Sequence, residues 1–338
     1  MATIHDVAQD AGVSPTTVSR YLNNRIELPQ ATSARIDAAI TRLDYRPNLL
    51  AKRLSTGKSQ AIGLVTPEIR EPFFAELASA VEDEADRHGY TIFMSSTRSD
   101  RGREIASLNR LHDRHVDGVI LMTNTPDDGT LAALIGRRRN VVLIDEDIPG
   151  VKVPRVFVEN TKGAHAATRH LIEAGHRRIA YIGGPLGLFS AEERYAGFLK
   201  AMAEAGLAVR EDHIRRGSFA PDFARAAVLS MIRTRQPPTA IFASSDYIAI
   251  GTILGLRQAG IGVPSQMSLV SFDDMPLTEL FNPPLTAIRQ PIEALGRQGF
   301  QALFALLNGD KPKMLTRLPV TLIERESVAA PRKGGLKP

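Results

Sequence analysis

The residues best placed for chemistry lie near the start of the chain, where hydroxyl groups and a guanidinium are clustered. Helical spacing directs Val18 inward and leaves the polar neighbours outward; these are Thr16, Thr17, Ser19 and Arg20. Hydroxyls and an arginine at the N-terminal end of a short helix can bond to base edges and phosphates in the DNA major groove. The pattern predicts a DNA-reading helix, with a helical hairpin inside another kind of domain as the alternative.

Two short helices joined by a glycine turn are predicted to position this surface. Thr3 and Asp6 have the spacing of a capping box, in which each residue satisfies a backbone N–H of the other. Ser14 followed by Pro15 is typical of the start of a second helix. Apolar residues at helical spacing over Thr32–Leu43 predict a third helix, which completes a small headpiece.

The composition of the chain favours some classes of protein and excludes others. The 338 residues carry a formal net charge of +5, and residues 1–58 hold eight basic against five acidic groups, a balance suited to phosphate binding. The absence of cysteine excludes disulfides and thiolate metal sites. Because no basic and apolar leader and no long apolar run is present, we expect a cytoplasmic protein without a membrane partner.

From Ala61 onward, apolar strands alternate with helical segments. The predicted strands cover 61–66, 91–96, 118–122, 141–145, 178–184, 213–219, 240–246 and 268–274, with final strands within 320–328. The predicted helices include 73–88, 101–115, 129–138 and 292–308. The alternation predicts an α/β core of two lobes, each a doubly wound parallel sheet between helices.

Chemistry-bearing side chains also follow the strands of this core. Ligands bind open parallel sheets at the carboxyl ends of the strands, and two facing lobes form a cleft that can close. The side chains at these positions are Phe73, Phe74, Asp145, Phe189, Arg194, Phe219, Asp246 and Asp273. Aromatic rings, carboxylates and one arginine suit a sugar-like ligand, which has apolar ring faces and a hydroxylated rim.

Several of these residues also have a purely structural explanation. Asp246 can cap the helix that follows it, and Asp273 can do the same in a turn. Arg194 can pair with a neighbouring carboxylate, and Phe74 or Phe219 can belong to the core. The residues alone leave both interpretations open.

Three separated segments agree in order and spacing with a known family. They are IHDVAQDAGVSPTTVSRYLN, YRPNLLAKRL and TGKSQAIGLV. These segments resemble the headpiece and hinge of the lactose/galactose/purine (LacI/GalR-type) repressor family of bacterial transcription factors, and the similarity continues through nearly the whole chain. The resemblance implies a helix-turn-helix headpiece and a periplasmic-binding-protein-like core. It also implies a homodimer that represses transcription on a palindromic double-stranded DNA operator, under a small-molecule effector and without a cofactor.

One position departs from the family's usual pattern. Pro15 stands where many members place Tyr or Thr as the first base-reading residue, and proline cannot donate a hydrogen bond. Direct readout is therefore expected from Thr16 and Arg20, with Arg20 suited to a bidentate contact with guanine. Thr17 and Ser19 are expected to hold phosphates.

The resemblance also implies a role for the hinge. In the family, the hinge helices of two subunits pair and order only on operator DNA, and the residue matching Leu54 is pushed between base pairs. Packing of Leu54 onto the headpiece is the alternative. The full predicted DNA-contacting set is Thr16, Thr17, Ser19, Arg20, Tyr21, Asn48, Ala51, Lys52 and Leu54.

The family's effector cleft is lined at the positions matching Phe73, Asp145, Arg194, Phe219, Asp246 and Asp273. Members that bind purines carry an arginine where this chain has Leu188, and the apolar residue favours another effector. We therefore expect a pentose, hexose, polyol or sugar acid, with a purine or other metabolite as the alternative.

The expected domain boundaries follow from the same comparison, with crossings between lobes near residues 160, 290 and 320. The expected units are a headpiece at 1–46, a hinge helix and linker at 47–60, a first lobe at 61–160 plus 291–319, a second lobe at 161–290 plus 320–330, and a flexible tail at 331–338. The tail lacks the apolar heptads of a tetramerising coiled coil.

Two other classes of protein are disfavoured. An enzyme on a doubly wound sheet would carry a nucleotide or nucleophile motif, and neither a phosphate-binding glycine fingerprint nor a G-x-S-x-G turn is present. His112 and His115 share a helix face but have no accompanying cysteine or third metal ligand. A transported-solute binding protein would need an export signal in place of the headpiece.

Overall fold

The computed structural model describes residues 2–22, 26–45, 59–113 and 116–332. The chain divides into two compact units, Met1–Ser59 and Gln60–Pro338. The first unit contains three described helices, which are α1 (Ile4–Ala11), α2 (Pro15–Leu22) and α3 (Gln30–Arg42).

The headpiece forms as its local sequence predicts. The Thr3 hydroxyl accepts from the Asp6 backbone N–H at 3.3 Å, and the Asp6 carboxylate accepts from the Thr3 N–H at 2.8 Å. Gly12 ends α1 with a φ of 65°, a left-handed conformation that glycine adopts without strain. The core of the three helices consists of Val7, Ala8, Ala11, Val18, Ile36 and Ala39.

The second unit contains two sheets of six strands. The first has the order β11-β5-β4-β3-β1-β2 and the second β12-β10-β9-β8-β6-β7. The strands are β1 (Ala61–Thr66), β2 (Thr91–Ser96), β3 (Gly118–Leu121), β4 (Val141–Ile144), β5 (Arg155–Val158), β6 (Ile179–Gly183), β7 (Ile214–Arg216), β8 (Ala240–Ala243), β9 (Ser268–Asp273), β10 (Thr286–Arg289), β11 (Leu315–Leu318) and β12 (Thr321–Ile323).

All strand pairs are parallel except β10 with β12. We call the part built on the first sheet the first lobe and the part built on the second sheet the second lobe. The chain passes to the second lobe after β5, returns after β10 and passes again after β11.

Helices cover the sheets, as parallel strands require. They are α4 (Pro72–Arg87), α5 (Arg101–Asp113), α6 (Thr130–Gly136), α7 (Asn160–Glu173), α8 (Phe189–Glu204), α9 (Pro221–Met231), α10 (Asp246–Gln258) and α11 (Ile292–Leu307). Helix α7 packs on α8, α9 on α10, and α11 on α4. At Gly197 of α8 a Cβ atom would lie 2.3 Å from the Thr161 carbonyl oxygen, so only glycine permits this approach. None of the helices in the described ranges is both long and apolar enough to cross a membrane.

Three short strands were absent from the prediction: β5, β10 and β11. Each has only four residues, and β11 is partly exposed, so neither apolar length nor strict alternation marks them. The predicted strand at 213–219 shortens to the edge strand Ile214–Arg216, since Glu211–His213 form a 3₁₀ turn before it.

Candidate functional site

Helix α2 presents the predicted DNA-reading side chains on the headpiece surface. Thr16 and Arg20 are exposed, and Thr17 and Ser19 are partly exposed. Ser14 caps the helix, since its hydroxyl accepts from the Thr17 N–H at 3.1 Å. Thr16 and Arg20 therefore lie on the rigid first turns of a capped helix, available to a ligand outside the headpiece.

Tyr21 is held within the headpiece. Its hydroxyl donates to the Asp37 carboxylate of α3 at 2.9 Å. This bond ties α2 to α3 and fixes the angle of α2, so a DNA contact by Tyr21 would use its ring or a second bond of the hydroxyl. The other predicted contacts, Asn48, Ala51, Lys52 and Leu54, lie outside the described residues.

The strand ends of the two lobes converge on one inner cleft. Its lining side chains are Glu71, Phe73, Phe74, Thr123, Asn124, Asp145, Glu146, Leu188, Ser190, Arg194, Phe219, Ser245 and Asp273. Asp246 lies in an adjoining small cavity that shares Glu71, Phe73 and Asp273 with the cleft. Seven of the eight predicted effector residues are thereby brought together.

Phe189 is the exception. It lies at the first position of α8, where its ring packs 5.0 Å from that of Phe157 on β5, centroid to centroid. Its neighbours Leu188 and Ser190 line the cleft instead. The prediction placed Phe189 in the cleft because it follows a strand end, but the helix start turns its ring toward the other lobe.

Arg194 is the buried hub of the second lobe's side of the cleft. Its Nε donates to Asn160 Oδ1 at 2.8 Å, and its Nη1 donates to the Ser244 carbonyl oxygen at 2.7 Å. Its Nη1 also lies 3.4 Å from Asp273 Oδ1, and the guanidinium lies 4.0 Å above the centre of the Phe272 ring. Only 4% of the residue is exposed, so these contacts hold a desolvated charge.

Asp246 and Asp273 are both buried at the ends of the second lobe's strands. Ser245 rather than Asp246 caps α10, because its hydroxyl accepts from the Ile248 N–H. Asp246 Oδ2 instead accepts from the Met275 N–H at 2.7 Å. Burial raises the pKa of both Asp246 and Asp273 above the ordinary aspartate value. The Asp273 carboxyl adds to the shift of Asp246, whereas Arg194 opposes the shift of Asp273.

The first lobe contributes three further carboxyls. Burial, assisted by the Asp273 and Asp145 carboxyls, raises the pKa of Glu71 to about 8. Burial raises the pKa of Asp145 to about 7, with Arg194 opposing the shift. Burial and then the neighbouring Asp145 raise the pKa of Glu146 to about 8. The cleft therefore favours protonated carboxyls when nothing neutralises them.

Polar contacts also cross between the lobes beside the cleft. The Glu146 carboxylate accepts from the Ser190 N–H at 3.0 Å and from the Ser190 hydroxyl at 2.8 Å. Arg317 on β11 forms a bidentate pair with Glu193 on α8, at 2.7 and 2.9 Å. These bonds hold the lobes in a closed arrangement.

The closed cleft has little internal space. Its side chains enclose about 20 Å³, room for about one water molecule. A wider cavity of about 530 Å³ adjoins it and shares Glu71, Asn124 and Phe219 with it. A ring-sized ligand therefore does not fit the inner cleft as it stands, and the lobes or the lining side chains must move to admit one.

Several acceptors in the cleft have no partner. Within the described residues, Asn124 Oδ1, Asp145 Oδ1 and Asp246 Oδ1 are buried without a hydrogen bond. Asp145 also adopts a φ of 65°, a strained conformation for a residue other than glycine. Buried acceptors without donors and local strain are both typical of ligand sites.

Sequence reasoning missed Glu71, Thr123, Asn124, Glu146 and Ser190. Thr123 and Asn124 follow β3, so the strand-end rule would have found them if it had been applied to that strand. Glu146 follows a predicted residue, but its contact with Ser190 joins two lobes and has no local signal. Glu71 precedes the first turn of α4, a position that is usually exposed.

Comparisons with known proteins agree with this geometry. Residues 3–48 match bacterial regulatory proteins of the lacI family, and residues 168–328 match the periplasmic binding protein-like domain. The chain is 36% identical over 311 residues to the HTH-type transcriptional repressor PurR of Actinobacillus pleuropneumoniae serotype 3 (strain JL03), which covers 92% of this chain and 93% of the relative. The chain belongs to the lacI family.

Two solved structures of similar proteins extend over nearly the whole chain. The lac repressor dimer bound to operator and the anti-inducer ONPF is 27% identical with a TM-score of 0.86, covering 97% of this chain and 99% of that one. The transcriptional regulator CelR in complex with cellobiose is 30% identical with a TM-score of 0.73, covering 97% and 100%. The predicted family and fold class are confirmed, and the protein is a DNA-binding transcriptional repressor with an effector-binding core rather than an enzyme.

The raised carboxyl pKa values predict a pH dependence of stability. The pKa of Glu71 is higher in the folded chain than its ordinary value, so its contribution is complete below about pH 4.5 and is lost as the pH rises through about 8. We expect the ligand-free protein to lose stability between about pH 4.5 and pH 8, and Glu71→Gln to reduce the slope in that window by up to about 1.4 kcal/mol per pH unit.

Urea denaturation of the full chain at several pH values measures this slope. The charged groups that face Glu71 are Asp273, Asp145, Arg194 and Glu68, and all of them remain in the variant. Glu76→Gln, an exposed change on α4, is the matched control and should leave the slope unchanged. Equal slopes for Glu71→Gln and wild type would contradict the buried, unneutralised state of this carboxyl.

Proposed function

We propose that this repressor binds a palindromic operator as a homodimer and that a purine or related nitrogen heterocycle in the inner cleft sets its operator affinity. The observation that carries the proposal is the cleft itself, in which aromatic rings adjoin buried acceptors that lack donors. Such a site needs a ligand with a flat apolar face and N–H or O–H groups on its edge.

The DNA-reading part of the proposal rests on α2. An exposed arginine and threonine on a capped helix suit the major groove, and a similar solved structure is a repressor dimer on its operator. Two headpieces related by two-fold symmetry would read two half-sites of opposite orientation, which makes the operator palindromic. The proposed base contacts are Arg20 and Thr16, with Thr17 and Ser19 at phosphates.

Two observations bear on the effector class and point in different directions. The relative named PurR is purine-responsive and shares 36% identity over nearly the full chain, which favours a heterocycle. Leu188, with 2% of its surface exposed, lines the cleft where purine-binding members carry an arginine, and the relative CelR was solved with cellobiose. A sugar therefore remains the second candidate, bound by the same carboxylates through its hydroxyls.

The cleft can control DNA affinity through closure of the lobes. Because about 20 Å³ is enclosed, an effector must change the angle between the lobes, and the Glu146–Ser190 and Arg317–Glu193 contacts must shift with it. Both lobes of the core contribute to this movement, and the chain enters the core from the headpiece at β1. Coupling of about 1–3 kcal/mol between two sites is typical of such communication.

A ligand screen and a DNA selection test the proposal together. The full chain is melted with purine bases, nucleosides, pentoses, hexoses and polyols, and a ligand that binds only the folded state raises the melting temperature. DNA selected from a random pool is expected to contain a palindrome. Enrichment of no symmetric site, or stabilisation by no member of these classes, would contradict the proposal.

A further inference from the structure

The charges that line the inner cleft do not balance. Five carboxyls lie in it or in the adjoining small cavity: Glu71, Asp145, Glu146, Asp246 and Asp273. Among the described residues that line these cavities, Arg194 is the one cationic side chain. Leu188 also lines the cleft and supplies no second positive charge.

Three of the carboxyls already have donors within the protein. Asp273 accepts from Gln290 at 2.7 Å and pairs with Arg194, and Asp246 accepts from a backbone N–H. Glu146 accepts from both donors of Ser190. The single guanidinium pairs with Asp273; its charge also opposes the rise that burial causes in the pKa of Glu71 and Asp145, but it forms no hydrogen bond with either carboxyl.

Glu71 and Asp145 are the two carboxyls of the cleft without a hydrogen-bond donor among the residues that the structure describes. In the described part of the chain, neither carboxylate accepts a hydrogen bond from a side chain or a backbone group. Glu71 is 8% exposed, and Asp145 Oδ1 is fully buried. A buried carboxylate without a partner is costly, so the ligand-free cleft favours the protonated form of these two carboxyls, and a cation that binds beside them would favour their charged form.

Aromatic rings surround the same space. Phe73 and Phe74 lie edge to face with their centroids 5.2 Å apart, and Phe219 faces them from the second lobe. A cation is attracted to the faces of such rings, more strongly where water is excluded. The aromatic rings and the two carboxyls without hydrogen-bond partners therefore both favour a cationic group.

We propose that the effector carries a protonated nitrogen, as an amine or amidinium on a ring, and that this group binds between Glu71 and Asp145. The inference rests on the proposed function and narrows its ligand class: cationic rings are preferred, and sugar acids and phosphorylated rings are excluded. The ring packs against Phe73 and Phe74, and the remaining edge donors reach Asn124 and Asp246. Arg194 positions Asp273 and does not serve as an anion receptor.

Two series of probes of matched shape and different charge test this assignment. One series is glucosamine, glucose and glucuronate, and the other is N1-methyladenosine, adenosine and xanthosine, each a cation, a neutral molecule and an anion at neutral pH. Affinities come from thermal shifts of the full chain and from calorimetry. In at least one series the cation is expected to bind about tenfold or more tightly than its neutral partner, with the anion weakest.

The double variant Glu71→Gln/Asp145→Asn removes both charges and keeps the shapes of the side chains. It is expected to bind the cation no better than the neutral probe, whereas the exposed control Glu76→Gln keeps the preference. Glu71→Gln alone should lose part of the preference for the cationic probe. Circular dichroism verifies that each variant is folded.

The outcomes separate this inference from the proposed function. If a neutral or anionic probe binds most tightly and changes operator affinity, the charge assignment is wrong and the proposed function stands. If the cation binds most tightly without changing operator affinity, the assignment stands and the proposed function fails. If no probe raises the melting temperature, or if every probe raises that of the double variant as much as that of the wild type, the charge assignment is also wrong.

Discussion

Replacing Arg194 with alanine is expected to lower the free energy of unfolding of the core by about 3–5 kcal/mol. The guanidinium joins the start of α7, the end of β8 and the end of β9 through Asn160, Ser244 and Asp273. Its removal leaves the buried Asp273 carboxylate without its cation. The variant should also lose any effector response, because the walls of the cleft would no longer be held in place.

Urea denaturation of the full chain measures the loss. Arg169→Ala is the matched control, because Arg169 on the neighbouring α7 forms an exposed ion pair with Glu173 and its loss should change stability little. Arg194→Lys should recover only part of the stability, since one ammonium cannot reproduce the planar contacts with three acceptors. An Arg194→Ala protein as stable as the Arg169→Ala control would contradict the role assigned to this hub.

Arg20→Ala is expected to weaken operator binding by about 1–3 kcal/mol, and selectively at one base position of each half-site. Arg20 is exposed on α2, and Pro15 at the start of that helix has no side-chain donor, so we expect the arginine to carry much of the readout. Fluorescence anisotropy with operators substituted at each position measures the effect.

Arg35→Ala is the control for a general loss of positive charge. Arg35 is exposed on α3 of the same headpiece, and its removal should not change preference at any base. If Arg20→Ala weakens binding to all sequences equally, Arg20 contacts a phosphate and the proposed base contact is wrong.

The headpiece could be predicted because its determinants are local. The Thr3–Asp6 capping box, the left-handed Gly12 and the Ser14 cap each depend on residues within a few positions, and all of them form. The contact made by Tyr21 could not be predicted in this way. Its bond with Asp37 joins residues on two helices, and no local pattern announces it.

The core was predictable in its class and in the direction of its strands. Long apolar strands such as β1 and β9 are buried throughout, and the strand-end rule brought Asp145, Arg194 and Asp273 to one cleft. Unlike the equally short β3, β4 and β8, which are apolar throughout, β5, β10 and β11 were missed because each has only four residues and one of these is an arginine. Their positions are set by pairing with neighbouring strands, which the sequence does not encode locally.

The balance of charge in the cleft was also beyond sequence reasoning. The sequence offered flat rings, acids and one arginine, and a sugar or sugar acid followed from that list. Glu71 and Glu146 become part of the site only through the approach of two lobes. Once Glu71 and Glu146 are included, the surplus of carboxyls favours a cationic ligand over the pentose, hexose, polyol or sugar acid expected from the sequence.

The most direct test of the whole account compares operator affinity with and without an effector that stabilises the core. The full chain is titrated onto its selected operator by fluorescence anisotropy at fixed salt, since phosphate contacts make affinity salt-dependent. Adding the effector is expected to change the operator affinity of the wild-type protein by about tenfold to a hundredfold and to leave that of Arg194→Ala unchanged. An affinity that stays the same while the effector demonstrably fills the cleft of the wild-type protein would contradict this expectation.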